Sequence, residues 1–186
     1  MRVDRMTRRG WVALAALVIT AAHAAPPPAR GKRRDREMVS SDQVFLLVRD
    51  VAVSRPVKAD TVAAATRVPL KENAEQSNKY FRIYEGAAPP DSVLSRVEAR
   101  VPAAGAGEGK DGMVILDLRE SVSCVGRSEV LARYGKNAVF EPAPPNAPPE
   151  APEYLVYKIE RRSISFGFSR QGQKCLTSVV LDSIGA

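Results

Sequence analysis

Residues 154–182 read YLVYKIERRSISFGFSRQGQKCLTSVVLD, and the alternation in this stretch decides the fold. Apolar and polar side chains exchange every second residue, which sends them to opposite faces of a pleated strand. Three strands follow, Tyr154 to Glu160, Ser163 to Ser169 and Leu176 to Asp182. These strands are expected to belong to antiparallel sheet. The same pattern appears upstream in Lys79 to Tyr84, Val93 to Val101 and Met113 to Arg119. Gly86 with Pro89-Pro90-Asp91, and a loose loop from Ala103 to Gly112, mark the turns between these three.

The remaining segments punctuate the strands. Asp60 to Ala65 opens as a helix, with Asp60 as its cap and Pro69 as its stop. Gly126 to Tyr134 is a second short helix, ended by Gly135. Val44-Phe45-Leu46-Leu47-Val48 is read as a strand, with a helix capped by Ser40 or Ser41 as the alternative. Residues 141–153 hold six prolines in thirteen positions and are expected to be extended and exposed. The fold class is therefore α+β, antiparallel sheet with short helices on one face.

Residues 1–24 read as a signal peptide. Arg2, Arg5, Arg8 and Arg9 lead a short apolar run, and Ala22-His23-Ala24 is a small-x-small cleavage site. The pair Arg8-Arg9 leaves Sec and twin-arginine export both open. Residues 25–42 are expected to form a flexible basic leader. Cleavage after Ala24 removes the chain's one histidine, His23, and its one tryptophan, Trp11. It also takes much of the formal charge of +7. Segment 1–24 and segment 30–37 each carry +3, leaving 19 basic and 18 acidic side chains beyond residue 37. A nucleic-acid reader keeps its positive charge on a folded face, so nucleic acid is not expected as a partner. The expected setting is periplasmic or secreted, with no stable insertion of the mature chain in a membrane.

Cys124 and Cys175 are the only cysteines. In an exported chain they read as one disulfide, closing a loop of about 50 residues that stabilises by roughly 4 kcal/mol in the chain-entropy model. Without histidine the usual triads and histidine metal sites are closed to the mature chain. No cofactor, no metal ligands and no catalytic group are expected. The carboxylates Asp117, Glu120 and Glu129 are what a hydrolase would have to use.

Self-comparison suggests a tandem repeat of helix-plus-three-strand units, 43–112 and 113–186. Leu46 to Asp50 lines up with Leu116 to Glu120, Tyr80 to Ile83 with Tyr154 to Tyr157, and Val114 to Asp117 with Val179 to Asp182. Val130 and Gly135, the aromatic strand of Tyr154 and Tyr157, the alternating Phe166 and Phe168, and the closing Val179 and Val180 carry a resemblance. Together they resemble the β-lactamase-inhibitory-protein-like fold, shared with small outer-membrane-assembly lipoproteins. The chain departs from that pattern in lacking a strand tryptophan and a lipid-attachment cysteine. The resemblance implies a protein-binding module, an inhibitor or neutraliser of an envelope-acting or secreted enzyme. An envelope assembly factor and a carboxylate-based hydrolase are the alternatives. With Phe81 and Ile83 assigned inward, the expected partner-binding face carries Tyr80, Arg82, Tyr84, Arg96, Glu98, Arg100, Tyr154 and Lys158, together with Ser163 and Ser165. Tyrosine and arginine are residues that interface hot spots favour.

Overall fold

The computed structural model describes residues 39–53, 56–105, 111–159 and 162–183. The expected signal peptide, and the leader as far as residue 38, lie outside them. Three helices, α1 (Ser41–Ala52), α2 (Ala59–Thr66) and α3 (Arg127–Tyr134), accompany eight strands. The strands are β1 (Lys71–Glu72), β2 (Phe81–Ala87), β3 (Leu94–Pro102), β4 (Met113–Leu118), β5 (Val139–Glu141), β6 (Glu153–Ile159), β7 (Arg162–Phe168) and β8 (Leu176–Ser183). They form one antiparallel sheet in the order β1-β2-β3-β4-β8-β7-β6-β5. α+β is thus the class. β1 and β5 are too short to show a period in sequence.

The segment from 44 to 48 is helix, not strand. Val44, Phe45, Val48 and Val51 are its buried side chains, a set spaced for one helical face and not for a pleat. No side chain caps α1. The leader also ends sooner than expected. Val39 donates its N–H to the carbonyl of Val122 at 2.9 Å and accepts from the Ser123 hydroxyl at 3.0 Å. That tie leaves Ser41 and Asp42 inside α1. Asp60 is not the cap of α2 either; Lys58 stands there, and the Asp60 carboxylate takes the N–H of Thr61.

All three helices pack on one sheet face. Val44, Phe45 and Val48 of α1, Val62 of α2 and Val130 of α3 share a core with Val97, Ala99, Val114, Leu116, Phe166 and Val179. Tyr134 of α3 centres the aromatic part, its ring 5.8 Å from Phe45, 5.6 Å from Tyr157 and 4.8 Å from Phe166. Cys124 and Cys175 form the disulfide, with Cα atoms 4.9 Å apart, fastening the entry of α3 to the entry of β8. Beside it the Leu176 N–H donates to the Val125 carbonyl at 2.8 Å.

The proline-rich loop is folded rather than extended. Ala147 N–H bonds to Pro144 O and Ala151 N–H to Pro148 O, both at 2.9 Å, making two successive turns. The guanidinium of Arg170 donates to the carbonyls of Ala147, Pro148 and Ala151. Proline removes donors and leaves carbonyls unpaired; one arginine supplies the missing donors.

One expected alignment fails: Leu46 to Asp50 is helical, whereas Leu116 to Leu118 is strand. Tyr80–Ile83 runs into β2 and Tyr154–Tyr157 lies on β6, strands at matching places, but the two are out of phase, since Ile83 lies opposite Arg100 and Tyr157 is in the core. Val114–Asp117 and Val179–Asp182 lie on β4 and β8 in phase. No helix among the described residues is long and apolar enough to cross a membrane.

A helix-free sheet face as candidate functional site

Register with the neighbouring strand decides which side chains share a face. On β3, Arg96, Glu98 and Arg100 alternate with the core residues Val97 and Ala99, so they point away from the helices. Pairing then extends this face in three rows across the sheet. The first runs Glu141, Tyr154, Gly167, Ser178, Asp117, Arg96. The second runs Val156, Ser165, Val180, Ile115, Glu98, Glu85. The third runs Lys158, Ser163, Asp182, Met113, Arg100, Ile83.

The expected site residues therefore divide. Arg96, Glu98, Arg100, Tyr154 and Lys158 share the face on which no helix of the described residues packs, with Ser163 and Ser165. Tyr84 and Arg82 do not. Tyr84 lies opposite Ala99 and packs against the core, while Ile83 lies opposite Arg100. Phe81 and Ile83 are thus outward, reversing the expected phase of β2. Both phases of that strand carry aromatic side chains, so alternation cannot choose between them. Packing does: Gly86, on the inner side, leaves room for Val68, Pro69 and Leu70. A Cβ there would stand 2.3 Å from the Pro69 carbonyl oxygen. Arg82 sits at the sheet edge, paired with Glu72 at 2.8 Å, and this carboxylate raises the arginine pKa further. Tyr80 precedes β2, with the Lys79 ammonium 4.9 Å from its ring centre.

Electrostatically the face is built around Glu98, 4% exposed. One carboxylate oxygen takes Arg96 Nη2 at 2.6 Å and the other takes Arg100 Nε at 2.7 Å. Two guanidinium groups satisfy a charge that would otherwise be costly to bury. Arg96 also reaches the neighbouring strand, its Nε 3.2 Å from Asp117 Oδ2. Burial pushes the Asp117 pKa up, Arg96 opposes this, and the negative charge of Glu98 adds to it. Glu85 lies directly opposite Glu98, and its Oε1 is buried without a hydrogen-bond partner among the described residues. Like charges in that position repel. No sequence signal marked Glu85, because its neighbour is set by pairing alone.

The β6–β8 side of the face is different. β7 presents Ser163, Ser165 and Gly167, with no bulky group along its length. Gly167 is required there. An added Cβ would come 2.4 Å from Ser178 Oγ and 2.7 Å from the Tyr154 ring. The tyrosine ring and Ser178 occupy the space above the glycine.

The carboxylates considered for hydrolysis scatter. Asp117 belongs to the Arg96 network, Glu120 is exposed in the turn after β4, and Glu129 accepts the Gly126 N–H at 2.7 Å at the start of α3. Glu129 is thereby a helix-terminus residue. Among the described residues no group of three or more His, Cys, Asp or Glu is placed to hold a metal ion. No protein-family model, curated protein or solved structure matches the chain.

Proposed function

We propose that this is an exported, non-enzymatic protein-binding module that captures its partner on the helix-free sheet face. The concrete form of this reading is inhibition or neutralisation of an envelope-acting or secreted enzyme. The observation that carries it is the pairing register, which gathers Arg96, Arg100, Tyr154 and Lys158 on a sheet face bearing no described helix. Arginine offers directional bonds at an interface, and tyrosine offers area at low entropy loss. The disulfide supports a setting outside the reducing cytoplasm, hence the periplasm or the exterior. We also infer that the chain is a duplicated unit. In support, the strand order runs inward from both edges to β4 against β8. The proposed equivalents Ile115 and Val180 face one another there, where a twofold axis would pass.

The test is capture from an envelope extract by the oxidised chain beginning at Ala25, with mass-spectrometric identification. Changing Arg96, Arg100 and Tyr154 to alanine together with Glu98→Gln, so that no unpaired carboxylate is left buried, is expected to abolish capture while the protein still melts cooperatively. Capture that survives the combined change overturns the face assignment. Envelope-complex components on the bait would favour an assembly factor. A carboxylate-based hydrolase is the second reading; burial raises the Asp117 pKa, the direction a general acid needs. It predicts a hydrolytic activity that Asp117→Asn removes from a folded protein.

A further inference from the structure

On the opposite side of the molecule, α1, α3 and the start of β7 enclose a groove of about 320 Å3. Its apolar lining comes from Phe45, Val48, Ala52, Tyr134 and Ile164, and its rim carries Arg49, Arg133 and Arg162. The volume is near the lower end for small-molecule sites. The three cations are not equally engaged. Arg49 holds Asp50 at 2.8 Å, while Arg133 and Arg162 form no ion pair among the described residues. Glu129, one turn before Arg133 in α3, is occupied instead by the Gly126 N–H. Asp42 and Glu129, with Arg133, border the neighbouring depression at the start of α1, whereas no carboxylate lines the groove itself, where Arg49, Arg133 and Arg162 stand. An anionic head group is therefore drawn to the groove.

The walls narrow the class of ligand further. Two are helices, whose backbone groups bond internally. The third is β7, hydrogen-bonded to β6 on one side and β8 on the other. An extended peptide laid here finds no backbone partners for its own amides, an expensive burial. A hydrocarbon chain needs none. We propose that this groove binds a free single-chain carboxylate, a medium-chain fatty acid. Its chain lies against Phe45, Ala52, Tyr134 and Ile164, and its carboxylate is held by Arg133 and Arg162.

Sodium dodecanoate below its critical micelle concentration is the probe, followed by calorimetry and by methyl NMR of Ile164. The expected result is saturable binding at one site with a shift of the Ile164 methyl signals. Changing Arg133 and Arg162 together to alanine, both exposed and so tolerated by the fold, is expected to weaken binding about tenfold or more. Dodecyltrimethylammonium at the same concentration is expected not to bind. Ala52→Phe, which fills the groove, is expected to abolish binding without loss of a cooperative melt. The proposal is overturned if dodecanoate does not saturate or binds only above its micelle concentration. It is equally overturned if the cationic amphiphile binds as well, or if the double arginine variant binds unchanged.

Discussion

The β1–β4 and β5–β8 halves of the sheet follow one strand plan and are finished in opposite ways. In the first half the core is aliphatic, with Val62, Val97, Ala99, Val114 and Leu116. Its outer face is tied down by ion pairs among Arg96, Glu98, Arg100 and Asp117. In the second half the core is aromatic, with Tyr134, Tyr157 and Phe166 in mutual contact. A disulfide holds that half, and its outer face carries serines and glycine along β7. Ion pairs hold side chains in one geometry but cost desolvation. Aromatic packing and a cross-link let the outward side of β7 stay small and uncharged. The difference teaches that one half presents a fixed charge pattern, and the other a close-packed strip of small side chains along β7 with Tyr154 and Ser178 over its glycine.

Opening the disulfide should break this comparison most. Changing Cys124 and Cys175 to alanine is expected to cost about 4 kcal/mol by loop entropy across 51 residues. Hydrogen exchange should show protection falling first in α3, β7 and β8, with β2 and β3 holding longer. Next comes Phe166→Ala, which empties a fully buried site between Tyr134 and Tyr157. It should cost about 4 kcal/mol by urea unfolding, against about 3 kcal/mol for Leu116→Ala in the aliphatic half. Equal losses would remove the distinction between the two cores. Gly167→Ala, a single added methyl, should cost about 2 kcal/mol by forcing Tyr154 and Ser178 aside. A cost near zero would mean the β7 surface is not the tight assembly described here.

Glu98→Gln tests the charged half. Removing the carboxylate that two partly exposed guanidinium groups share should cost about 2 kcal/mol. The smallest effect is the pH dependence of Asp117. Its folded pKa lies above the ordinary aspartate value, so the folded state binds this proton more readily than the unfolded chain does. The group therefore disfavours folding at neutral pH. That penalty is relieved as pH falls from the raised value toward the ordinary one. Carboxyl NMR should find the Asp117 midpoint above 3.8, and Asp117→Asn should flatten the acid side of the stability profile. A midpoint at or below that value would overturn the burial argument.

How much of this was legible in the chain can be judged from particular elements. Six strands, α2 and α3 were readable, because period-two alternation and helix punctuation are local properties of a dozen residues. So was the disulfide, because two cysteines leave one pairing. The outward row Arg96, Glu98, Arg100 was readable too, since Val97 and Ala99 between them cannot face water together. α1 was harder, because a run such as Val44 to Val48 suits a strand or a helix until something covers Val51. Only the tertiary structure decided the phase of β2, where Tyr84 against Ala99 and the close approach at Gly86 outweigh an ambiguous alternation. It alone placed Asp117 beside Arg96, Glu85 against Glu98, and Arg133 with Arg162 above Phe45. Alternation is set within a strand, whereas register is set by the strand next to it. A site assembled from neighbours distant in sequence becomes visible only when those strands meet.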